Sequence, residues 1–275
     1  MFRYFFSVRW LGWLAMVMVL AAGCVGLGRW QLERREAVVE DIQRIEANYD
    51  AAPQRYEPGA NGFDTFDPAS EWTPVTFTGT YDVEHQVVVR NRPLNGQPGY
   101  EVLTPLRLED GTAVIIDRGW LPIGNAEAGR PDVVPAPPAG EVEVTARIRP
   151  GEPEVNRGAP EGQIASVHLP SLAESVEYPL QDAAYGLLAL ERPAATETPI
   201  AAPKPSIDEG PHLSYSLQWF AFGILAFVGL GYAARQQRRS DAERDGTAPE
   251  RPARRRRRPS SEEEEDAILD ARGIR

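Results

Sequence analysis

Cysteine is nearly absent from this 275-residue chain: Cys24 is the only one, so no intramolecular disulfide and no thiolate metal cluster can form. Histidine is almost as scarce. His85, His168 and His212 stand far apart, none with a second histidine or cysteine at ligand spacing, which argues against a zinc site. There is no glycine-rich phosphate loop and no nucleophile elbow. Carboxylates are plentiful, but a chain with 40 Asp and Glu against 29 Lys and Arg carries most of them as solvated surface, and no pair stands out as a catalytic dyad. These absences leave little room for an enzyme.

What the chain does have is two long uncharged apolar runs, Trp10 to Leu27 and Leu213 to Ala234, bracketing a polar middle. At ~1.5 Å per residue each helix would span roughly 27–33 Å, the thickness of a hydrocarbon core. Trp10, Trp13, Trp30, Tyr215 and Trp219 sit near the ends of these runs, where an aromatic belt belongs. The expected protein is a two-span membrane protein. Arg3 and Arg9 precede the first run, and Arg235, Arg238, Arg239 and the run Arg254 to Arg258 follow the second. The positive-inside rule therefore puts both termini in the cytoplasm and the middle outside the cell membrane, although Arg29, Arg34 and Arg35 weaken the contrast at the first span. Between Arg29 and Pro211 there are fifteen basic and thirty acidic residues, a balance unsuited to nucleic acid or an anionic surface.

A competing reading of the N-terminus is a cleaved signal ending at Ala21-Ala22-Gly23-Cys24, with Cys24 acylated. The apolar run continues past Cys24 to Leu27, and Ala21 lacks the larger aliphatic side chain usual there. The plain alternative for Cys24 is a small apolar residue within a helix.

The expected organisation is a cytoplasmic N-terminus (1–9), a first span (10–27), an amphipathic helix and loop (28–70), a β-rich domain (71–192), a proline-rich tether (193–211), a second span (212–234) and a disordered charged tail (235–275). Val75 to Tyr81, His85 to Arg90, Tyr100 to Leu108, Thr112 to Asp117, Glu141 to Ile148 and Tyr185 to Leu190 read as strands. Asp110-Gly111 signals a hairpin, and Ser171 suits the cap of a short helix. The fold class is thus α+β: two transmembrane helices flanking a compact antiparallel β-rich domain, barrel-like if its strands close.

Two residue groups stand out. Asp117-Arg118-Gly119-Trp120 closes a hydrophobic strand, where it would either form a binding surface or pack beneath a turn. His212, Tyr215, Ser216 and Trp219 recur at helical spacing at the start of the second span. A neutral imidazole beside aromatic rings suits an axial heme ligand, while the plain alternative is an interfacial anchor within the aromatic belt.

The chain resembles the surfeit-locus-one family of cytochrome c oxidase assembly proteins. Three blocks carry the likeness: Gly28-Arg29-Trp30-Gln31-Leu32-Glu33-Arg34; the stretch from Arg92-Pro93-Leu94-Asn95-Gly96 through Gly99-Tyr100 to Leu106, with Asp117-Arg118-Gly119-Trp120-Leu121-Pro122; and His212 through Phe220. The resemblance implies an assembly factor rather than an enzyme. It would help place heme a, held transiently, in the catalytic subunit of the oxidase, with heme a synthase as a further partner beside membrane lipids. It implies His212 as the ligand of the heme iron, with Tyr215 and Trp219 lining the macrocycle. Trp30, Gln31, Gly99, Tyr100, Asp117, Arg118, Gly119 and Trp120 become candidates for fold integrity or partner contact. Gly210-Pro211 departs from the polar residues usual before this histidine. Two other classes remain: a scaffold that never touches heme, and an envelope enzyme using the carboxylates of the middle domain.

Overall fold

A run of apolar residues that must lie in hydrocarbon can satisfy its peptide groups only within itself, and both runs form helices. The computed structural model describes residues 7–155 and 157–246. Helix α1 is Val8–Asn48, a single helix that continues well past the apolar run, and α3 is His212–Arg244. Arg3, the arginine run 254–258 and the acidic stretch after it lie outside the described residues. Two units can be distinguished: a helix pair, from residues up to Leu32 and from Leu213 onward, and a sheet unit, Glu33–His212. The protein is an α+β membrane protein, with one apolar helix near each end of the chain and a barrel between them in sequence.

Within the helix pair, small residues set the contact. A Cβ on Gly28 would come within 2.8 Å of the Phe220 ring, and one on Gly223 would meet Cys24 at 3.5 Å. Buried Ser216 donates from Oγ to the Gly28 carbonyl at 2.9 Å. Close approach through small side chains and one buried hydrogen bond is the usual way apolar helices associate in lipid. Cys24 thus packs as a small residue in this contact. Ile224, Leu225 and Val228 of α3 and Met18, Val19 and Leu20 of α1 remain exposed, as lipid-facing side chains would.

The sheet unit contains β1 (Gln54–Arg55), β2 (Pro74–Tyr81), β3 (Val87–Val89), β4 (Gly99–Leu108), β5 (Ala113–Pro122), β6 (Glu141–Pro150), β7 (Gln163–Ile164), the short helix α2 (Leu169–Glu174) and β8 (Ala184–Arg192). The order is β1-β2-β6-β8-β5-β4-β3-β7, with an additional pairing of β2 to β4. That last pairing closes β2, β6, β8, β5 and β4 into a ring. Taken in chain order the ring runs first, fourth, fifth, third, second. Its neighbours are antiparallel except for β5 beside β8, which run parallel. This is the connectivity of a five-stranded Greek-key barrel of the OB type. The parallel pair is the one feature of the ring that an all-antiparallel expectation did not contain.

Alternation fills the barrel. Val75 and Phe77, Leu106 and Leu108, Val114 and Ile116, and Val142, Val144, Ala146 and Ile148 all converge on one core with Ala184. Phe63, from the long segment before β2, is buried in this same core, with Tyr56 and Phe66 packed against it. The opposite face of β4 and β5, through Leu103 and Ile115, packs under α2 with Val89, Leu169 and Tyr185. The helix α2 begins after His168 with Pro170 in its first turn. Ser171 does not cap it; its hydroxyl instead meets His168 Nδ1 at 2.7 Å.

Closure depends on a glycine. Gly79 of β2 pairs with Val142 of β6 on one edge and Leu108 of β4 on the other, and a Cβ there would run into the Arg107 carbonyl. Since the obstacle is backbone, it cannot rotate aside. Gly79→Ala is expected to cost about 1–3 kcal/mol or more, read as a lowered thermal midpoint of the full-length protein in detergent.

Candidate functional site

Strand β5 does not stop at Asp117. It runs through Asp117-Arg118-Gly119-Trp120 to Pro122, so this group lies inside a strand rather than at its end. The register against β4 slips here, with Glu101 opposite Trp120 but Leu103 opposite Asp117, which places a bulge at Arg118-Gly119. Gly119 takes φ 123°, and a Cβ there would meet Ile200 and Pro199. β8 pairs with β5 only at Ile116 and Asp117. Three residues on, Ile200 of the proline-rich stretch takes that edge, exchanging two 2.8 Å hydrogen bonds with Trp120. The stretch is further fixed by Lys204, 2.6 Å from Asp50 and 4.8 Å above the Tyr49 ring, and by Glu209, 2.7 Å from Arg35.

Neighbouring side chains on a strand face opposite ways, and here this sends two charges into two different buried environments. Arg118, 2% exposed, lies at the barrel core near Tyr81 and Glu191. Its Nη1 donates to the Pro135 carbonyl at 2.7 Å, its Nη2 stands 4.0 Å from Glu191, and its guanidinium lies over the Tyr81 ring at 5.5 Å. The Tyr81 hydroxyl donates to Glu191 at 3.1 Å. Burial, reinforced by Glu191, pushes the Tyr81 phenol up, so it stays a donor at any physiological pH.

Asp117 is 3% exposed and faces the other way. It accepts from the Gly119 N–H at 2.9 Å. Burial pushes its carboxyl well above the ordinary value and Glu101 adds to this, against the pull of the Gly119 N–H, Arg92 and Arg149. Burial also raises Glu101, against the attraction of Arg92. Arg92 bridges Glu101 at 2.9 Å and Glu152 at 2.6 Å. Glu152 shifts down although burial opposes it, because Arg92 and the Val167 N–H hydrogen-bond its charged form. Further along, Arg149 and Arg44 meet on Glu71 at 2.6 and 2.9 Å, which fixes the end of α1 to the barrel.

The Arg92-to-Glu101 block is a turn built to carry Trp120. Asn95 and Gly96 both take positive φ, and Leu94 and Gln97 exchange hydrogen bonds of 2.9 Å across them, a two-residue Asn-Gly hairpin turn. Trp120 Nε1 donates to the Arg92 carbonyl at 2.7 Å, and its ring lies where a Cβ on Gly99 would be. Tyr100 packs with Val88, Val102 and Leu121. Gly99, Tyr100, Asp117, Arg118, Gly119 and Trp120 are therefore all buried, and none presents an exposed face to a partner.

The exposed candidates lie elsewhere. Trp30 is 56% exposed on α1, beside half-buried Gln31. His212 is the first residue of α3, after a turn in which Gly210 takes φ 67° and donates its N–H to Asp208. A Cβ on Gly210 would make only ordinary contact with the imidazole, 3.6 Å from Nε2; it is the φ of 67° that favours glycine there. His212 belongs to the sheet unit, whereas Tyr215 and Trp219 belong to the helix pair. Tyr215 is 49% exposed, and Trp219 stands edge-on to Phe222 with centroids 6.0 Å apart. Ser216, from the same helical repeat, is turned onto Gly28, so the first and third resembling blocks meet at Gly28, Ser216 and Phe220. Among the described residues no group of three or more His, Cys, Asp or Glu side chains is placed to hold a metal ion.

Two outcomes follow from the buried charges. Asp117 and Glu101 hold their protons more tightly folded than unfolded, so the stability tied to them is full below their ordinary values of 3.8 and 4.5 and declines as pH rises through the raised ones. Asp117→Asn keeps an acceptor for Gly119 and is expected to flatten that decline in thermal midpoint as pH rises above the ordinary carboxylate value. Arg118→Met leaves Glu191 buried without its cation and is expected to cost about 3–5 kcal/mol in urea unfolding, with partial recovery on adding Glu191→Gln.

Comparison with known proteins accounts for the blocks. A family model described as the SURF1 family matches residues 18–224. An uncharacterized SURF1-like protein of Mycobacterium tuberculosis is 32% identical over 258 residues, covering 84% of this chain and 88% of the relative. A SURF1-like protein of Monosiga brevicollis is 32% identical over 135 residues, 45% of this chain and 48% of its own. The surfeit locus protein 1 of Xenopus tropicalis is 27% identical over 163 residues, 52% of this chain and 49% of that protein. The chain belongs to the SURF1 family, a family of cytochrome oxidase assembly factors rather than of enzymes.

Proposed function

We propose that this protein assists insertion of heme a into the catalytic subunit of cytochrome c oxidase, with His212 as a reversible axial ligand of the heme iron. Family membership supports the assembly role, and the observation that supports the heme step is His212 itself. It opens α3, with Tyr215 and Trp219 following at helical spacing. The donor chemistry fits a porphyrin better than a bare ion. A bare transition ion asks for three or four protein ligands, and no such cluster occurs among the described residues. An iron carrying its own four ring nitrogens asks only for an axial imidazole.

In this reading His212 supplies the nitrogen, and half-exposed Tyr215 and Trp219, following at helical spacing, offer aromatic surface to the macrocycle. When bound, heme a would supply the redox-active iron that the oxidase needs; the protein's own part is to hold and release it. Exposed Trp30 is the residue of the first block best placed to meet a protein partner, either the catalytic subunit or heme a synthase. The basic residues after the second span favour cytoplasmic termini in the cell membrane and a barrel facing away from the cytoplasm.

The test is an optical spectrum of the detergent-purified full-length protein, coexpressed with heme a synthesis, beside His212→Ala. The expected outcome is a heme a band in the first and its loss in the second, with heme a content of the oxidase lowered in the variant strain. A band in both proteins sinks His212 as the required ligand. A band in neither, together with unchanged oxidase heme in the variant strain, moves the weight to a scaffold that acts on the subunit alone.

A further inference from the structure

The helix pair is in close contact around Gly28 and holds a cavity farther along. Gly28, Ser216 and Phe220, then Cys24 and Gly223, hold α1 against α3. Toward the start of α1 and the second half of α3, where Val17 and Ala234 are still buried, the pair also lines a cavity of about 370 Å³. Its walls come from Trp13 and Met16 on one helix and Gly229 and Ala233 on the other, with Arg9 and Gln237 at the end nearest the helix termini. Gly229 is unlike the glycines of the contact: a Cβ there meets no atom within 4 Å. The gap is therefore a groove with room in it, of a size in the range of small-molecule sites of about 300–1,000 Å³.

Its two ends differ in chemistry. From Arg9 inward to Val17 it is apolar and runs about 12 Å along the helix. At the outer end Arg9 forms no ion pair among the described residues. From Ser7 to Trp13 and from Gly229 to Ser240 there are four arginines, Arg9, Arg235, Arg238 and Arg239, and no carboxylate. The next acids along the chain are Asp241 and Glu243, and Asp241 accepts a hydrogen bond from Gln237 at 3.1 Å. Trp10 and Trp13 flank Arg9 at the level where aromatic rings meet lipid headgroups.

A cationic rim over an apolar slot inside one leaflet matches a single class of molecule, and we propose that this groove binds an anionic phospholipid, with its phosphate on Arg9 and an acyl chain along Trp13, Met16 and Gly229. Basic pockets between transmembrane helices hold anionic headgroups by this combination of charge and burial. The lipid would fill this part of the pair as Phe220 fills the part at Gly28. The site is separate from His212 in sequence and rests on no part of the heme reading.

The test uses the full-length protein in mild detergent, with phosphatidylglycerol and phosphatidylcholine of identical chains added as probes and bound lipid counted by native mass spectrometry. Phosphatidylglycerol is expected to be retained several-fold over phosphatidylcholine, unaffected by excess inorganic phosphate. Arg9→Gln should lower its retention about fivefold, the effect of one basic residue at a lipid surface, while Arg239→Gln, outside the groove lining, should do less. Gly229→Leu projects into open space and should exclude both lipids while leaving the circular-dichroism helicity unchanged. Equal retention of the two lipids, competition by inorganic phosphate, or phosphatidylglycerol binding unchanged in both Arg9→Gln and Gly229→Leu would overturn the proposal, the last result leaving the groove to a partner's helix. If Gly229→Leu loses helicity, Arg9→Gln against Arg239→Gln decides alone.

Discussion

Strand β2 hydrogen-bonds along both edges at once, to β6 over most of its length and to β4 from Gly79 to Tyr81. An open sheet would leave an exposed edge at each side, whereas a closed ring leaves its strands no unpaired edge there. Because closure brings all five inward faces onto one core, it also decides which side chains are buried together. Phe63, from a segment rich in turn residues, is buried in that same core. The requirement is local in its chemistry: at Gly79 the neighbouring carbonyl leaves no room for a side chain.

The same closure explains why adjacent residues of β5 serve different purposes. Arg118 belongs to the inward set with Val114 and Ile116, and Asp117 to the outward set with Ile115. Arg118 is then a buried charge set beside Glu191 and Tyr81, whereas Asp117, whose carboxyl burial and Glu101 push toward the protonated form, is held by the Gly119 N–H. Buried ion pairs contribute little net stability over apolar replacements but are costly to break singly. They make this region of the barrel intolerant of change.

The helix pair obeys different physics. In lipid, apolar surface gains nothing by being covered with more apolar surface, so contact concentrates where small residues allow close approach, at Gly28, Cys24, Ser216 and Gly223. Beside Gly229 and Ala233 the pair leaves a groove. The family's first and third blocks meet at the contact around Gly28, which ties their spacing to a packing requirement before any ligand is considered.

Much of this was legible beforehand. Length and lack of charge determined the two apolar helices, since a segment's own composition sets its partition into lipid. Alternation located β2, β4, β6 and β8 within a residue or two, and Asp110-Gly111 marked the hairpin between β4 and β5, because period and turn chemistry are local properties. The resemblance of three blocks pointed to the family. Tertiary structure alone decided the rest. Local pattern carries no information on which separate strands pair, so the parallel contact of β5 with β8 and the closing contact of β2 with β4 could not be read. Nor could the continuation of β5 through Asp117-Arg118-Gly119-Trp120, because two charges and a glycine look like a strand's end until buried partners are supplied for them. Ile200 looked like part of a spacer, and joins β5 only because β8 leaves that edge free after Asp117. His212 was visible as a lone imidazole at a helix start; that Ser216, one turn on, is turned onto the Gly28 carbonyl was decided only when the two apolar helices packed.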